Sequence, residues 1–470
     1  TIEKPEEAKS VLEEGGVWFP MDWSPDDSKL LVGRYVSANE SYGYVLDMVS
    51  GELEQMNPSE KKIAYGGSIW SADGKGIFFS SDEDTEFQHL RYWDLKKNKQ
   101  KILTEKIQWD VAGMSISHDR GTLAFTTNEG GITKLYLMDT NKMKYKPVEG
   151  FPAGSIGGLS FSPDDSKLAL TISSPSSTGD VYVLDLGDMS IERWTYSEIG
   201  GLDTETFAKP KLFHYPTFDK VDGKQREIPA FMFKPKGEGP HPVLITIHGG
   251  PEGQFTPYFS ASYNYMINDL GIAVIAPNVR GSSGYGKSYL QLDNWEKRED
   301  SVYDIGALLD WIETQPDLDK SRICVYGGSY GGYMVYAAMT HYNDRLKCGI
   351  DVVGISNFVT FLENTKEYRR DLRRVEYGDE RIPEMRAHLE KISPTTNAHK
   401  ITKPMFIVQG FNDPRVPASE AEQMLAAIRS NGGEAWYLLA MDEGHGFRKK
   451  SNRDYMMYSM MMFLEKYLLE

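Results

Sequence analysis

The sequence predicts an N-terminal β-propeller with four visible blades, joined to an α/β domain with a doubly wound, mostly parallel sheet. Three observations carry this. The first half repeats a strand–turn–strand unit at intervals of about 46 residues. The second half alternates strands and helices from Lys211 onward. A Gly-x-Ser-x-Gly stretch sits in that half directly between a strand and a helix.

The repeat appears as MDWSPDDSKLLVG from Met21, SIWSADGKGIFFS from Ser68, SISHDRGTLAFTT from Ser115 and LSFSPDDSKLALT from Leu159. Its Ser-x-Asp turns begin at Ser24, Ser71, Ser117 and Ser162, so the spacings are 47, 46 and 45. Each unit runs apolar strand, polar turn, alternating strand, then a third strand (YGYVLDMVSGE, LRYWDLKKNK, KLYLMDTNK, VYVLDLGDM) and a short outer strand (LEQM, QKIL, YKPV, IERWT). Four strands per repeat is the pattern of a propeller blade; a β-sandwich would not require this regular period. The segment Lys9–Glu14 also reads as an outer strand, left over from an upstream blade; an extra strand on a four-bladed ring, or an amphipathic helix over 3–14, are the alternatives. The orphan strand implies that the ring is incomplete and the chain a C-terminal portion of a longer one. Propeller signals fade near Thr195–Pro210, which gives a partial propeller over 1–205 and a second domain over 206–470.

Net charge is 52 − 68 = −16, which argues against nucleic-acid or anionic-membrane partners, since both demand a basic face. Residues 1–200 carry 20 basic and 32 acidic groups, net −12; the rest carry 32 and 36, net −4. The acidity of the first half reads as a solvated exterior, with attraction of cationic peptides as the alternative. A 40% hydrophobic, 12% aromatic composition can bury large cores, which excludes a disordered chain. The two cysteines, Cys324 and Cys348, lie in apolar runs and read as buried small hydrophobes. They are too few for a disulfide scaffold or a four-cysteine zinc site, and no His/Cys/Glu cluster has ligand spacing, so no metal or cofactor is expected. No apolar run reaches the ~18–20 residues of a membrane span, and two buried thiols fit a reducing, cytoplasmic location.

In the second half the candidate strands include PVLITIHGG, GIAVIAPNVRG, SRICVYGGS, CGIDVVG, PMFIVQGFND and AWYLLAMDEG, continuous apolar runs of the kind covered on both faces. Candidate helices are Tyr258–Leu270, Glu299–Thr314, Gly331–His341, Ser419–Ser430 and Arg453–Leu469. Gly327-Gly328-Ser329-Tyr330-Gly331 falls between strand and helix, where a tight turn lifts a serine hydroxyl above the sheet edge. A serine nucleophile needs a base, and the base an orienting carboxylate. Asp413 and His445 follow the next strands in the order Ser, acid, His, at the same edge of the sheet as Ser329. Asp442 and Glu443 are too near His445 in sequence to orient its ring easily. The oxyanion of the transition state needs N–H donors: the backbone of Tyr330 and, from the loop after PVLITIHGG, of Gly250. His248 reads as structural. Together these features define an α/β hydrolase.

A propeller followed by this hydrolase resembles the prolyl oligopeptidase family of serine peptidases, in its details the acylaminoacyl peptidase branch. The matching stretches are His248-Gly249-Gly250-Pro251, Asn278–Gly286, Gly327–Gly332, Asn412–Pro417 and Asp442–Phe447. The resemblance implies that Arg415, two positions after the triad Asp, binds a carbonyl or carboxylate of the substrate, with a structural salt bridge as its bland alternative. It implies an apolar pocket at Ile355, Phe358 and Phe361 for the residue before the cut. It also implies a seven- or eight-bladed ring, which the four blades here do not fill. Glu6-Glu7 and Glu13-Glu14 lack the surroundings of the glutamate pair by which the dipeptidyl branch holds a free amino end, and no such role is assigned.

The expected activity is hydrolysis of short peptides, with removal of N-acylated amino acids or dipeptides within reach. A carboxylesterase using the same triad is the alternative, and a catalytically silent binding protein the third reading. Expected partners are short peptide substrates, a second copy of the chain, or a missing N-terminal portion.

Overall fold

In the computed structural model, Lys4 and residues 7–470 are described. The chain divides into two compact units. One contains the residues up to Ser174, Gly179–Glu198 and Gly284–Lys287; the other contains Pro175–Thr178, Ile199–Ser283 and Ser288–Glu470.

The first unit consists of four antiparallel four-stranded sheets, each built from consecutive strands. They start with Val17–Trp23, Tyr65–Trp70, Val111–Ile116 and Ser155–Phe161, and these four strands neighbour one another in that order. This is the predicted set of blades. Alternation puts apolar side chains on both faces of the blades, and three apolar clusters each join two consecutive ones. Leu31 and Met56 pack against Ile77 and Phe79. Phe78 and Leu90 pack against Leu123 and Phe125. Ala124 and Leu135 pack against Leu168 and Leu184.

The repeated turns share one hydrogen-bond pattern. The hydroxyls of Ser24, Ser71, Ser117 and Ser162 donate to the carboxylates of Asp26, Asp73, Asp119 and Asp164 at 2.7, 2.8, 2.6 and 2.7 Å. Each hydroxyl also accepts a backbone N–H from five residues on, at 2.9–3.0 Å. The residue after each aspartate is left-handed: Asp27, Gly74, Arg120 and Asp165, at φ 58, 65, 57 and 56°. In two blades that residue reaches its neighbours. Arg120 donates to Asp22 (2.8 Å) and to the Trp70 carbonyl (2.9 Å). Asp165 accepts the N–H groups of His118 and Asp119.

The expected orphan strand over Lys9–Glu14 is not found. These residues have no strand structure, and no described strand pairs with them. A strand requires a neighbouring edge; here only Leu12 is packed, against the first blade beside Trp18 and Tyr44, while Val11 is exposed. Glu6, and the first part of the alternative helix, lie outside the described residues.

The second unit is built on an eight-stranded sheet in the order Lys211–Val221, Lys224–Phe233, Ala273–Pro277, His241–Ile247, Leu318–Gly328, Cys348–Val352, Met405–Gly410, Ala435–Ala440. The first two pairings are antiparallel and the rest parallel. Each expected helix is present with slightly different ends: Ala261–Asn268, Asp300–Glu313, Tyr330–His341, Ala418–Ser430 and Lys450–Leu464. Three further helices, Phe358–Asn364, Glu367–Tyr377 and Pro383–Ile392, occupy a stretch with little apolar periodicity. The first buries Phe358, Val359, Phe361 and Leu362 and is capped by Asn357, which accepts from the N–H groups of Val359 and Thr360; in the second Arg374 pairs with Asp371 and Glu380. Cys324 and Cys348 face each other across adjacent parallel strands, fully buried, with burial and the neighbouring thiol pushing Cys324 well above the ordinary thiol range. Among the described residues no helix is long and apolar enough to cross a membrane, and no three His, Cys, Asp or Glu side chains are placed to hold a metal.

Two predictions follow from these contacts. Ser117→Ala removes a buried hydroxyl that makes two turn bonds, and should lower stability by about 1–2 kcal/mol in urea unfolding of the propeller; an unchanged midpoint would refute the role of the turn. Asp351, at the end of Cys348–Val352, is fully buried, and burial raises its pKa from 3.8 to about 7 against the opposing hydrogen bonds of Tyr336 and Gly354. The fold therefore favours the protonated form: its contribution is complete below about pH 4 and is lost as pH rises through about 7. Asp351→Asn should narrow the difference in Tm between pH 5 and pH 8; an undiminished difference would count against it.

Candidate active site

The sheet delivers Ser329 through a strained turn. It follows the Leu318–Gly328 strand, precedes the Tyr330–His341 helix, and has φ 60° and ψ −119°, unfavourable for a side-chain-bearing residue. Its N–H donates to the Val352 carbonyl at 2.9 Å, which holds the turn against the next strand. The flanking glycines are required by close approach. A Cβ on Gly327 would stand 2.4 Å from the Gly331 carbonyl oxygen, and one on Gly331 would stand 2.2 Å from that of Ile247.

His445 bridges the two other predicted residues. Its Nε2 lies 3.0 Å from Ser329 Oγ and its Nδ1 2.7 Å from Asp413 Oδ2. The other oxygen of Asp413 accepts the N–H groups of Arg415 (2.8 Å) and Val416 (3.0 Å), so the fully buried carboxylate is fixed at both ends. Asp442 and Glu443 do not face the ring: Asp442 pairs with Lys449, and Glu443 accepts from the backbone of Arg448 and Lys449. The two loops are tied together. Asn412 donates its N–H to the Glu443 carbonyl (2.9 Å) and its Nδ2 to the Met441 carbonyl (2.8 Å). Gly410 packs so closely on Gly444 that a Cβ would stand 2.1 Å from the Gly444 carbonyl.

Of the expected oxyanion donors, Tyr330 follows the serine directly and Gly250 lies in the loop after the His241–Ile247 strand. Tyr330 opens the helix, where unsatisfied N–H groups gather positive potential. Its phenol is buried and donates to Asp293 (3.1 Å), within 2.8 Å of Ser301 Oγ. Gly250 has φ 142° in a loop that touches the nucleophile: a Cβ on Gly249 would stand 3.4 Å from Ser329 Cβ. His248 props this loop. Its Nδ1–H donates to the Gly249 carbonyl (2.9 Å), its Nε2 lies 2.8 Å from Ser282 Oγ, and burial holds its pKa below the ordinary value.

Arg415 is exposed beside Asp413. Ile355, Phe358 and Phe361 are buried, and the two phenylalanines pack in an aromatic cluster, Phe358 at 4.6 Å from Tyr333 and 5.1 Å from Tyr377, Phe361 at 5.8 Å from Tyr377.

Sequence reasoning missed the supports behind these groups. Asn278 holds the loop after Pro251 by accepting the Phe255 N–H (2.6 Å) and donating to its carbonyl (3.1 Å). Arg280 is buried with Asp304, whose carboxylate accepts from its Nε, Nη2 and backbone N–H. Buried Glu420 accepts the N–H groups of Ser356 (3.0 Å) and Asn357 (2.8 Å), fixing the segment that carries Phe358. Asn278 and Arg280 belong to the Asn-Val-Arg-Gly stretch, whose motif-like character was visible. Nothing in the sequence marked Glu420, because a buried glutamate on a helix looks like a solvated one.

The sequence profile of the prolyl oligopeptidase family matches residues 257–470. The chain is similar to dipeptidyl aminopeptidase BIII of Pseudoxanthomonas mexicana, 26% identical over 81% of this chain and 56% of that protein. It is also similar to dipeptidyl peptidase family member 6 of Caenorhabditis elegans, 29% identical over 64% of this chain and 43% of that protein. It thus spans about half the length of these relatives. Two solved structures share its fold. A puromycin-hydrolyzing peptidase of Mycobacterium tuberculosis superposes with TM-score 0.85 at 22% identity, covering 98% of this chain and 71% of that one. An acylaminoacyl peptidase of Pyrococcus horikoshii gives 0.77 at 22% identity, covering 97% and 72%. The family profile thus covers the hydrolase half of the chain, and similarity to peptidase relatives extends beyond it into the propeller half.

Proposed function

We propose that the chain carries the catalytic machinery of a serine peptidase that cleaves short peptides, removing N-acylated amino acids or dipeptides. The observation behind this reading is the Ser329–His445–Asp413 relay, with distances of 3.0 and 2.7 Å. In it Ser329 Oγ attacks the scissile carbonyl carbon while His445 Nε2 takes the hydroxyl proton. The Tyr330 and Gly250 N–H groups receive the oxyanion. When the tetrahedral intermediate collapses, the C–N bond breaks and His445 hands its proton to the leaving amine. Water, deprotonated by the same imidazole, then releases the acyl group from Ser329. Asp413 holds the His445 tautomer and balances the imidazolium. The names of the relatives, dipeptidyl peptidases and acylaminoacyl peptidases, support a substrate with a short acyl side.

In the same reading the catalytic domain spans 206–470 and the partial propeller 1–205. The location is cytoplasmic, in keeping with two free buried thiols; recovery of the native protein in an oxidising extracellular fraction would count against it.

Ser329→Ala should reduce turnover of an acyl-amino-acid p-nitroanilide to below about a hundredth of wild type and abolish fluorophosphonate labelling, with the thermal melt unchanged. Residual activity above that level would refute the nucleophile. Asp413→Asn should leave the fold intact and lower kcat by about 10³–10⁴ through loss of the imidazole tautomer; a loss under about tenfold would remove Asp413 from the relay.

A further inference from the structure

Beside the relay lies a concentration of positive charge that the chemistry above does not use. The Glu367–Tyr377 helix is anchored to the Asp413 loop at its start: Thr365 Oγ1 donates to the Arg415 carbonyl (2.8 Å) and the Lys366 N–H to that of Pro414 (3.3 Å). It is anchored to the oxyanion loop about two turns later, where Arg373 Nη1 donates to the Gly250 carbonyl at 2.9 Å. Arg369, one turn before Arg373 on the same face, is close enough to feel the charge of both Arg415 and Arg373.

Two of the three guanidiniums there lack an acid of their own. Arg373 lies 3.4 Å from Glu252, itself hydrogen-bonded to Glu376. Burial, with repulsion from Glu252, raises Glu376 well above the ordinary carboxylate range, which opposes ionisation of both carboxylates together. Arg369 and Arg415 have no carboxylate within salt-bridge distance among the described residues, and Arg369 Nε is buried without a hydrogen-bond partner. Burial, with repulsion from Arg415 and Arg373, lowers the pKa of Arg369, as expected of guanidiniums sharing a small space. The neighbouring arginines are committed elsewhere: Arg370 to the Thr365 carbonyl, Arg374 to Asp371 and Glu380. Arg369, Arg373 and Arg415 thus gather three guanidiniums next to the Asp413 and Gly250 loops, two of them without a carboxylate of their own, in a chain whose net charge is −16.

We propose that Arg369, Arg373 and Arg415 form a carboxylate subsite, and that the enzyme selects peptides with an acidic group within a few residues of the scissile bond. Guanidiniums bind carboxylates through paired, charge-assisted hydrogen bonds, and a partly desolvated arginine lacking its own acid gains most from one brought by the substrate. The carboxylate can be a Glu or Asp side chain or the free C-terminus of a short peptide. This inference rests on the peptidase reading of Ser329.

The test uses the full chain carrying Ser329→Ala, so that binding is read without turnover. Three peptides are titrated calorimetrically: acetyl-Ala-Gln-Ala-Ala-amide, the same peptide with Glu for Gln, and the Gln peptide with a free C-terminus. At least one acidic peptide should bind about tenfold more tightly than the neutral one at low salt, and which one identifies the source of the carboxylate. The difference should shrink at about 0.5 M salt, vanish when Arg369→Gln is added, and largely survive Arg369→Lys, which separates lost charge from lost folding. Equal binding of the three peptides, no binding of any, or a preference that persists in Arg369→Gln would overturn the proposal. Failure of wild-type Ser329 to label with a fluorophosphonate would instead overturn the peptidase reading.

Discussion

The backbone of one residue sets the geometry of the whole site. Ser329 is held at positive φ, where a side chain crowds its own peptide groups, and the fold compensates from three directions. The Val352 carbonyl takes its N–H, the helix begins at the next residue, and the Tyr330 phenol is tied down by Asp293 and Ser301. Because the turn is fixed, Gly249 can touch it and His445 can reach it across one hydrogen bond. The glycines around it are there for the space they leave: any larger residue at 327 or 331 would collide with backbone carbonyl oxygens that cannot yield.

The second constraint is mutual. The Asp413 and His445 loops follow adjacent parallel strands, and neither would hold its side chain in place alone. Asn412 crosses from one loop to the other with two hydrogen bonds, and the Gly410–Gly444 contact brings the backbones together. The imidazole is thus positioned by the sheet through two loops bound to each other. Glu443, adjacent to the histidine, bonds to the backbone of Arg448 and Lys449 and closes the loop from its far side.

Much of this was legible because it is local in sequence. The Ser-x-Asp turn recurs with the same bonds in all four blades, and Ser329, Asp413 and His445 each follow a recognisable strand. What escaped was polar or lacked a partner. Lys9–Glu14 has the alternation of a strand but no edge to pair with. The Glu367–Tyr377 helix is so rich in arginine and acid that periodicity says little; its ion pairs and its ties to two loops give it a place. Arg280–Asp304 and Glu420–Ser356 join residues 24 and 64 positions apart, and a charged residue shows that it is buried only after the chain has folded. The average charge concealed the arginine cluster in the same way, since composition has no coordinates.

The two thiols have a consequence of another kind. Cys324 and Cys348 sit opposite each other in neighbouring central strands, sealed from solvent, and burial keeps the Cys324 thiol protonated. An electrophile or oxidant cannot reach either sulfur until those strands part. Thiol modification in this molecule therefore acts as a clock for the opening of the central sheet, indifferent to the state of Ser329 a few residues away.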